Sequence, residues 1–438
     1  QSHGPPDVLP NTQPLTWSDD IASRLVDGVD RFLLNELTAS IANRGVHWQR
    51  DFASDEAYAS SIEAHRARLA HILGVRDARL PIESLMLDGT TTQPALVGRG
   101  EGYDVLAVRW PVIRQVHGEG LLLVPRDRVP TARIVAIPDA DQTPEAICGL
   151  IKGIDQRTQF ARRLAEQGCL VLVPTLISRE MKPRNGRAML TNREYLYRSA
   201  FELGRHVIGY EIQKIMAGID WFEHDAGQAA ARIGVIGWGE GGLLALYTAA
   251  LDTRVDAACV SGYFDSRQSV WREPIDRNVF GLLDQFGDAE LASMISPRQL
   301  VIEACRGVEL ELPGKGGAPA RLVTPDLQDV QAEVSRAEQL AQTEIDLVVS
   351  DGGVGPTGSD EALKKFLGHL DVEFQAVSRE VPLQDLRAAF FPARRQQRML
   401  EEIDDHNQWL LRESPYVRAE FMAKLKTNSL DAYEQSVE

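Results

Sequence analysis

The sequence predicts an α/β fold, a mostly parallel, doubly wound sheet with helical extensions at its N- and C-terminal ends. Three observations predict it. Between about residues 101 and 375, short apolar runs of strand length alternate with amphipathic stretches of helical period. One of those runs, Ile233–Ile236, leads through a glycine-rich turn straight into a helical stretch. Residues 1–100 and 376–438 are polar and carry helical spacing instead.

In chain order, Ile21, Leu25, Val29, Phe32 and Leu33 recur at helical spacing behind Ser18, which can cap a helix through Leu34. A second helix runs from Ser54 to Leu73 and closes at Gly74. Strands follow at Tyr103–Arg109 and Gly120–Pro125, then Ala132–Pro138, a helix over Asp155–Gln167 and a strand at Cys169–Thr175. The capping box Thr191-Asn192-Arg193-Glu194 opens one long helix to about Glu223. After it come strand Ile233–Ile236, helix Glu240–Leu251, and strands Val255–Val260 and Gln299–Ala304. A Gly/Pro-rich loop (313–319), helix Leu327–Leu340 and a last strand at Ile345–Ser350 complete the set. Strands this short and apolar are those of a sheet buried on both faces. The division expected is a helical extension (1–100), an α/β domain (101–375) and a helical tail (376–438).

The chemistry-bearing segment is Gly237-Trp238-Gly239-Glu240-Gly241. A strand, a Gly-x-Ser-x-Gly turn and a helix together lift a serine hydroxyl above the sheet as a nucleophile. Here the spacing puts Gly239 in the serine's place. The segment resembles the elbow of the dienelactone-hydrolase and acetyl-xylan-esterase-like branch of the α/β-hydrolases. Ser296-Pro297-Arg298-Gln299-Leu300-Val301-Ile302 is similar to a strand of the same branch. The resemblance covers roughly residues 100–375. It implies the α/β-hydrolase fold and ancestry among enzymes that cleave esters, often acyl groups on polysaccharides. The wider resemblance is to the N-terminal half of a large tandem hydrolase.

The family's triad does not carry over. Gly239 has no side chain to acylate. The acid is expected after Ala304, where the chain reads Cys305-Arg306-Gly307, and the histidine in the loop 350–358, which has none. His369 lies further on. Glycine also relieves the backbone strain of an elbow whose oxygen is no longer needed. Glu240 then opens a helix, where a carboxylate is favoured. It reads as a helix-start carboxylate, as one that salt-bridges across the old pocket, or as a replacement base or nucleophile. His206 and Asp265 are the other candidate catalytic groups. Trp238, Arg205, Tyr263 and Asp139 are candidate pocket residues, and Trp238, Trp271 and Tyr263 would make a sugar-stacking floor. Asp139 and Asp141 stand in the region of the oxyanion loop, where acids repel a developing oxyanion.

A formal charge of −16, from 47 basic and 63 acidic residues, argues against nucleic acid or an anionic membrane as partner. Cys148, Cys169, Cys259 and Cys305 read as buried thiols, and no spacing of ligands implies a metal or another cofactor. The start at Gln1-Ser2-His3-Gly4-Pro5-Pro6 is that of a secreted or periplasmic chain after signal cleavage, and equally that of a trimmed cytoplasmic one. Ser54–Glu63 and Ser429–Glu438 match at five of ten positions, and Leu33-Leu34-Asn35-Glu36 echoes Leu410-Leu411-Arg412-Glu413. A repeat of this kind makes 376–438 the lead-in to a second hydrolase domain.

Two functions lead on the sequence, with a pure polysaccharide-binding module as a third possibility. One is a degenerate hydrolase domain kept as scaffold, regulatory body or glycan-docking surface. The other is a working carboxylic-ester hydrolase on acylated polysaccharides with unorthodox residues. The partners implied are a polysaccharide or acylated sugar, and a second hydrolase domain or another copy of the chain.

Overall fold

The computed structural model describes residues 11–184, 186–226, 232–376 and 383–437, so the first ten residues, the Gln1–Pro6 start among them, and Glu438 lie outside the described residues. Two helices come first, α1 (Ile21–Asn43) and α2 (Asp55–Ile72). Asp20, rather than Ser18, caps α1, its Oδ1 accepting from Ala22 N and Ser23 N at 3.0 and 3.3 Å. α2 starts and closes where expected: Ser54 caps it, and Gly74 follows its end with φ +72°.

The sheet is built from β1 (Leu96–Gly100), β2 (Tyr103–Ile113), β3 (Val116–Pro125) and β4 (Arg133–Ile137). After α3 (Phe160–Glu166) come β5 (Leu170–Pro174) and the hairpin β6 (Met181–Arg184) and β7 (Ala188–Thr191). Next are α4 (Asn192–Phe201), α5 (Val207–Ala226), β8 (Ile233–Trp238), α6 (Glu240–Leu251), β9 (Ala257–Ser261), α7 (Asp288–Ser293) and β10 (Gln299–Ala304). A second hairpin, β11 (Leu310–Pro313) and β12 (Pro319–Leu322), precedes α8 (Leu327–Ala341), β13 (Asp346–Val349) and α9 (Asp360–Gly368). The tail holds α10 (Pro392–Met422) and α11 (Leu430–Val437).

The main sheet runs in the order β13-β10-β9-β8-β4-β5-β3-β2-β1. It is parallel from β13 to β5 and antiparallel from β5 to β1. Successive side chains on a strand point to opposite faces, and both faces are covered. Val135 and Ile137 of β4 join one core with α2, α5 and α6, while Ile134 and Ala136 join the other with α3 and α9. That double cover is why the strands read as uninterrupted apolar runs. All four cysteines are free and buried within it.

Three further expectations change. The helix expected over 194–223 is two helices, because Gly204 turns into the left-handed region (φ +66°). His206 then restarts the helix, its Nδ1 accepting from Ile208 N at 3.1 Å. The loop 313–319 is the turn of the β11–β12 hairpin, whose short strands carry no apolar run to announce them. The tail is divided in character: Met399 and Ile403 of α10 are buried in the main core, whereas Tyr416, Val417 and Phe421 stand exposed.

Candidate functional site

The strand β8 delivers the chain to Gly239 at the carboxyl edge of the sheet, the edge where open α/β sheets place ligands. Gly239 has φ +60° and ψ −117°, and its N–H donates to Ser261 O at 3.1 Å. The turn is tight enough that a Cβ on Gly237 would lie 2.0 Å from Gly241 O, so the flanking glycines are needed for the close approach of strand and helix. A Cβ on Gly239 itself would lie 2.5 Å from Val308 Cγ2 and 2.8 Å from Asp139 Oδ1.

Asp139 comes from the loop after β4. Its Oδ1 accepts from Glu240 N at 3.0 Å, and Arg179 holds both its oxygens at 2.8 and 3.2 Å. In an α/β-hydrolase the N–H after the nucleophile is an oxyanion donor. Here that N–H is taken by a carboxylate of the chain. Burial pushes the Asp139 pKa up, but Arg179 and the hydrogen bonds pull it further down, so the group is ionised.

Glu240 is fully buried and turned into a cage of guanidinium groups. Its Oε1 accepts from Arg193 Nη2 at 2.8 Å, and its Oε2 from Arg179 Nη2 and Arg277 Nε at 2.9 Å each. Burial alone would raise its pKa, yet Arg193, Arg277 and Arg179 together hold it well below the usual carboxylate range. The cage extends outward. Arg193 also binds Asp276 (2.6 Å) and Glu211 (2.9 Å), and Arg277 binds Glu273 (3.0 Å). Arg267 bridges Glu273 (3.1 Å) and Asp288 (3.2 Å). Burial pushes Asp288 up to about 7 and raises Glu211 as well, against the pull of Arg267 on the first and Arg193 on the second.

A cavity of about 350 Å³ opens above this network, lined by Gly239, Tyr263, Asp265, Arg267, Arg277 and Val308 among others. Tyr263 lies under Arg267 and Arg277, whose guanidinium carbons sit 4.3 and 5.5 Å from its ring centre. Asp265 faces the cavity with its pKa raised by burial, and accepts from Ser266 N at 2.6 Å. The remaining candidates lie elsewhere. His206 is buried at the start of α5, its Nε2 3.4 Å from Asn278 O, and burial drops its pKa to about 4. Arg205 is paired with Asp77 at 2.6 and 2.7 Å. Trp238 donates to Arg306 O at 2.8 Å. Trp271 is exposed and lines a separate groove against α1, apart from the Tyr263 cavity.

At the position of the family's acid, the carboxylate present is Glu303. It accepts from Ser261 Oγ (2.6 Å), Gly358 N (2.9 Å) and Ser359 N (2.8 Å), and so ties down the loop where a histidine was sought. His369 pairs with Asp346 at 2.6 Å. Asp346 opens β13, so that pair sits at the edge of the sheet opposite the elbow. Among the described residues no group of three or more His, Cys, Asp or Glu side chains is disposed to hold a metal ion.

Sequence reasoning named Glu240 and Asp139 but not the arginines that govern them. Arg193 was visible only as part of a capping box, and Arg179 and Arg277 stand in segments without a motif. The one available signal was the possibility that Glu240 salt-bridges across the old pocket.

Residues 134–278, from β4 through the elbow to the segment carrying Arg277, match the dienelactone hydrolase family. A putative acetyl xylan esterase from Bacteroides fragilis is 14% identical, with 81% of this chain and 91% of that chain covered and a TM-score of 0.51. This chain has the α/β-hydrolase fold. The resemblance seen at the elbow is thus shown over the segment that contains it. A glucuronoyl esterase from Solibacter usitatus (10% identity, 73% and 94% covered, TM-score 0.47) is a more distant structural neighbour. So is acetyl xylan esterase 1 from Thermoanaerobacterium sp. (13%, 78% and 93%, 0.40). No curated protein matches the sequence.

Proposed function

We propose that this α/β-hydrolase is a degenerate domain of the carbohydrate-esterase-like kind, which has lost acyl transfer and serves as a scaffold with a glycan-docking cavity. The observation that carries the reading is the Asp139 carboxylate on Glu240 N, 3.0 Å away. An ester carbonyl brought to this elbow would find no hydroxyl at Gly239 and a negative charge where its own developing charge needs a donor. Glu240 is a poor substitute for the serine. A general base works best with a pKa near the operating pH, whereas this one is held far below it with both oxygens already bonded. His206 is neutral, buried and used as a helix cap. The sugar end of the proposal rests on the resemblance to carbohydrate esterases and on the open cavity beside Tyr263.

The test is hydrolysis of p-nitrophenyl acetate and of acetylated xylan by the whole chain. The expected rate is that of the buffer blank. Turnover that disappears in Glu240→Gln, His206→Asn or Asp265→Asn would overturn the proposal in favour of an ester hydrolase with unorthodox groups.

A further inference from the structure

Residues 429–437 repeat residues 54–62 not only in sequence but in their hydrogen bonds, at one constant offset. Ser54 Oγ accepts from Ala57 N at 3.2 Å, and Ser429 Oγ from Ala432 N at 3.2 Å. Ser61 Oγ donates to Tyr58 O at 2.7 Å, and Ser436 Oγ to Tyr433 O at 2.9 Å. Asp51 N donates to Ser61 Oγ at 3.2 Å, and Lys426 N to Ser436 Oγ at 3.0 Å. Capped helix starts share the first of these bonds routinely. The last spans ten residues and fixes how the incoming chain folds back on the helix, which a capped start alone does not require.

The two copies differ in what covers them. In the first, Tyr58 is 4% exposed and Ile62 1%. Tyr58 OH donates to Ser293 O at 2.7 Å and Arg66 Nε to Ala250 O at 3.1 Å, so α2 sits across the ends of α6 and α7. In the second copy, Tyr433 is 43% exposed, Val437 58% and Leu430 76%. The differences between the copies follow this burial. Asp55/Leu430, Glu56/Asp431, Ala59/Glu434 and Ser60/Gln435 fall where the first copy is exposed, and the buried pair differs only as Ile62/Val437. The second copy therefore keeps a tyrosine and a β-branched aliphatic at the two positions that the seat grips, and both stand exposed among the described residues.

We infer that α11 is a docking helix for another α/β-hydrolase body, which receives Tyr433 and Val437 between the helix after its elbow and the next one. The seat on this chain's own body is filled by α2, so the occupant is a different domain of the same fold. Apolar side chains at the end of α10, Tyr416, Val417 and Phe421, lie exposed on the approach to it. The inference is independent of whether the first body cleaves esters.

The experiment grafts the second copy into the first within the whole chain, by Asp55→Leu, Glu56→Asp, Ala59→Glu, Ser60→Gln and Ile62→Val. If the copies address the same kind of seat, the graft melts within about 3 °C of the parent, while Tyr58→Ala melts lower by more than that. A graft that loses as much as Tyr58→Ala overturns the inference. Sedimentation and amide exchange on the unaltered chain give the second readout. The expected result is a monomer whose amides at 430–437 exchange at the same fast rate at all concentrations. A dimer in which those amides slow as concentration rises would assign the face to a second copy, and would overturn the inference too.

Discussion

Position 239 combines φ +60° and ψ −117° with two neighbours inside the reach of a Cβ, and the neighbours do not yield equally. Val308 can shift, but Asp139 is fixed by Arg179 and by Glu240 N. Backbone strain for a side chain there costs about 1–3 kcal/mol, and overpacking a similar amount. Gly239→Ser is thus expected to lose about 2–6 kcal/mol in denaturant unfolding. At Glu240 the balance is electrostatic. Three guanidinium groups lose their shared counter-charge in Glu240→Gln, and breaking a buried ion pair on one side costs about 3–5 kcal/mol. The same denaturant series should therefore show a loss in that range, with residual structure intact by circular dichroism. The glycine and the glutamate could be read from the sequence because the elbow is a local pattern. The arginines could not, since Arg179, Arg193 and Arg277 reach Glu240 from three separate segments.

The element that best shows how local sequence yields to the fold is the helix expected from Glu194 to Glu223. Its apolar spacing continues through the break, so periodicity alone joins α4 to α5. Gly204 and the His206 cap separate them. The cap has a pH signature. The folded His206 has a pKa of about 4 against its ordinary 6.5, because burial disfavours the charged ring and the nearby Arg193 adds to the effect. Between those values the unfolded chain binds a proton that the folded chain does not. Stability attributable to this group is complete above about pH 6.5 and falls as the pH drops toward 4. His206→Asn keeps a capping acceptor without the titration, so its melting temperature should fall less between pH 6.5 and 5 than the parent's. The loop after β13 offers a second element-scale check. Glu303 accepts from Gly358 N and Ser359 N, and Glu303→Gln exchanges a charged acceptor for a neutral one. Amide exchange at those two positions should accelerate, with no change at 240–251.

On the scale of the molecule, the alternation of strand and helix was legible because the parallel part of the sheet is buried on both faces and its strands are mostly apolar. The role of the tail was not, because its helical period is uniform while its surroundings change. Met399 and Ile403 anchor α10 to the core, and Arg398 binds Glu119 at 2.7 Å, whereas Tyr416 and Phe421 touch solvent. Met399→Ala or Ile403→Ala should cost about 2–5 kcal/mol, and Tyr416→Ala or Phe421→Ala less than about 0.5 kcal/mol. A cost at Phe421 comparable to that at Ile403 would mean that the whole tail belongs to one core. The proposed loss of acyl transfer requires an elbow that is intact in backbone but closed to ester chemistry by Asp139 and Val308. The most direct measurement is intact-mass analysis of Gly239→Ser after exposure to a serine-directed fluorophosphonate, beside the parent chain. The expected result is no adduct on either protein while Gly239→Ser remains folded. A phosphonylated Ser side chain at position 239, with ester turnover accompanying it, would contradict the account, because the site would then need only its missing hydroxyl.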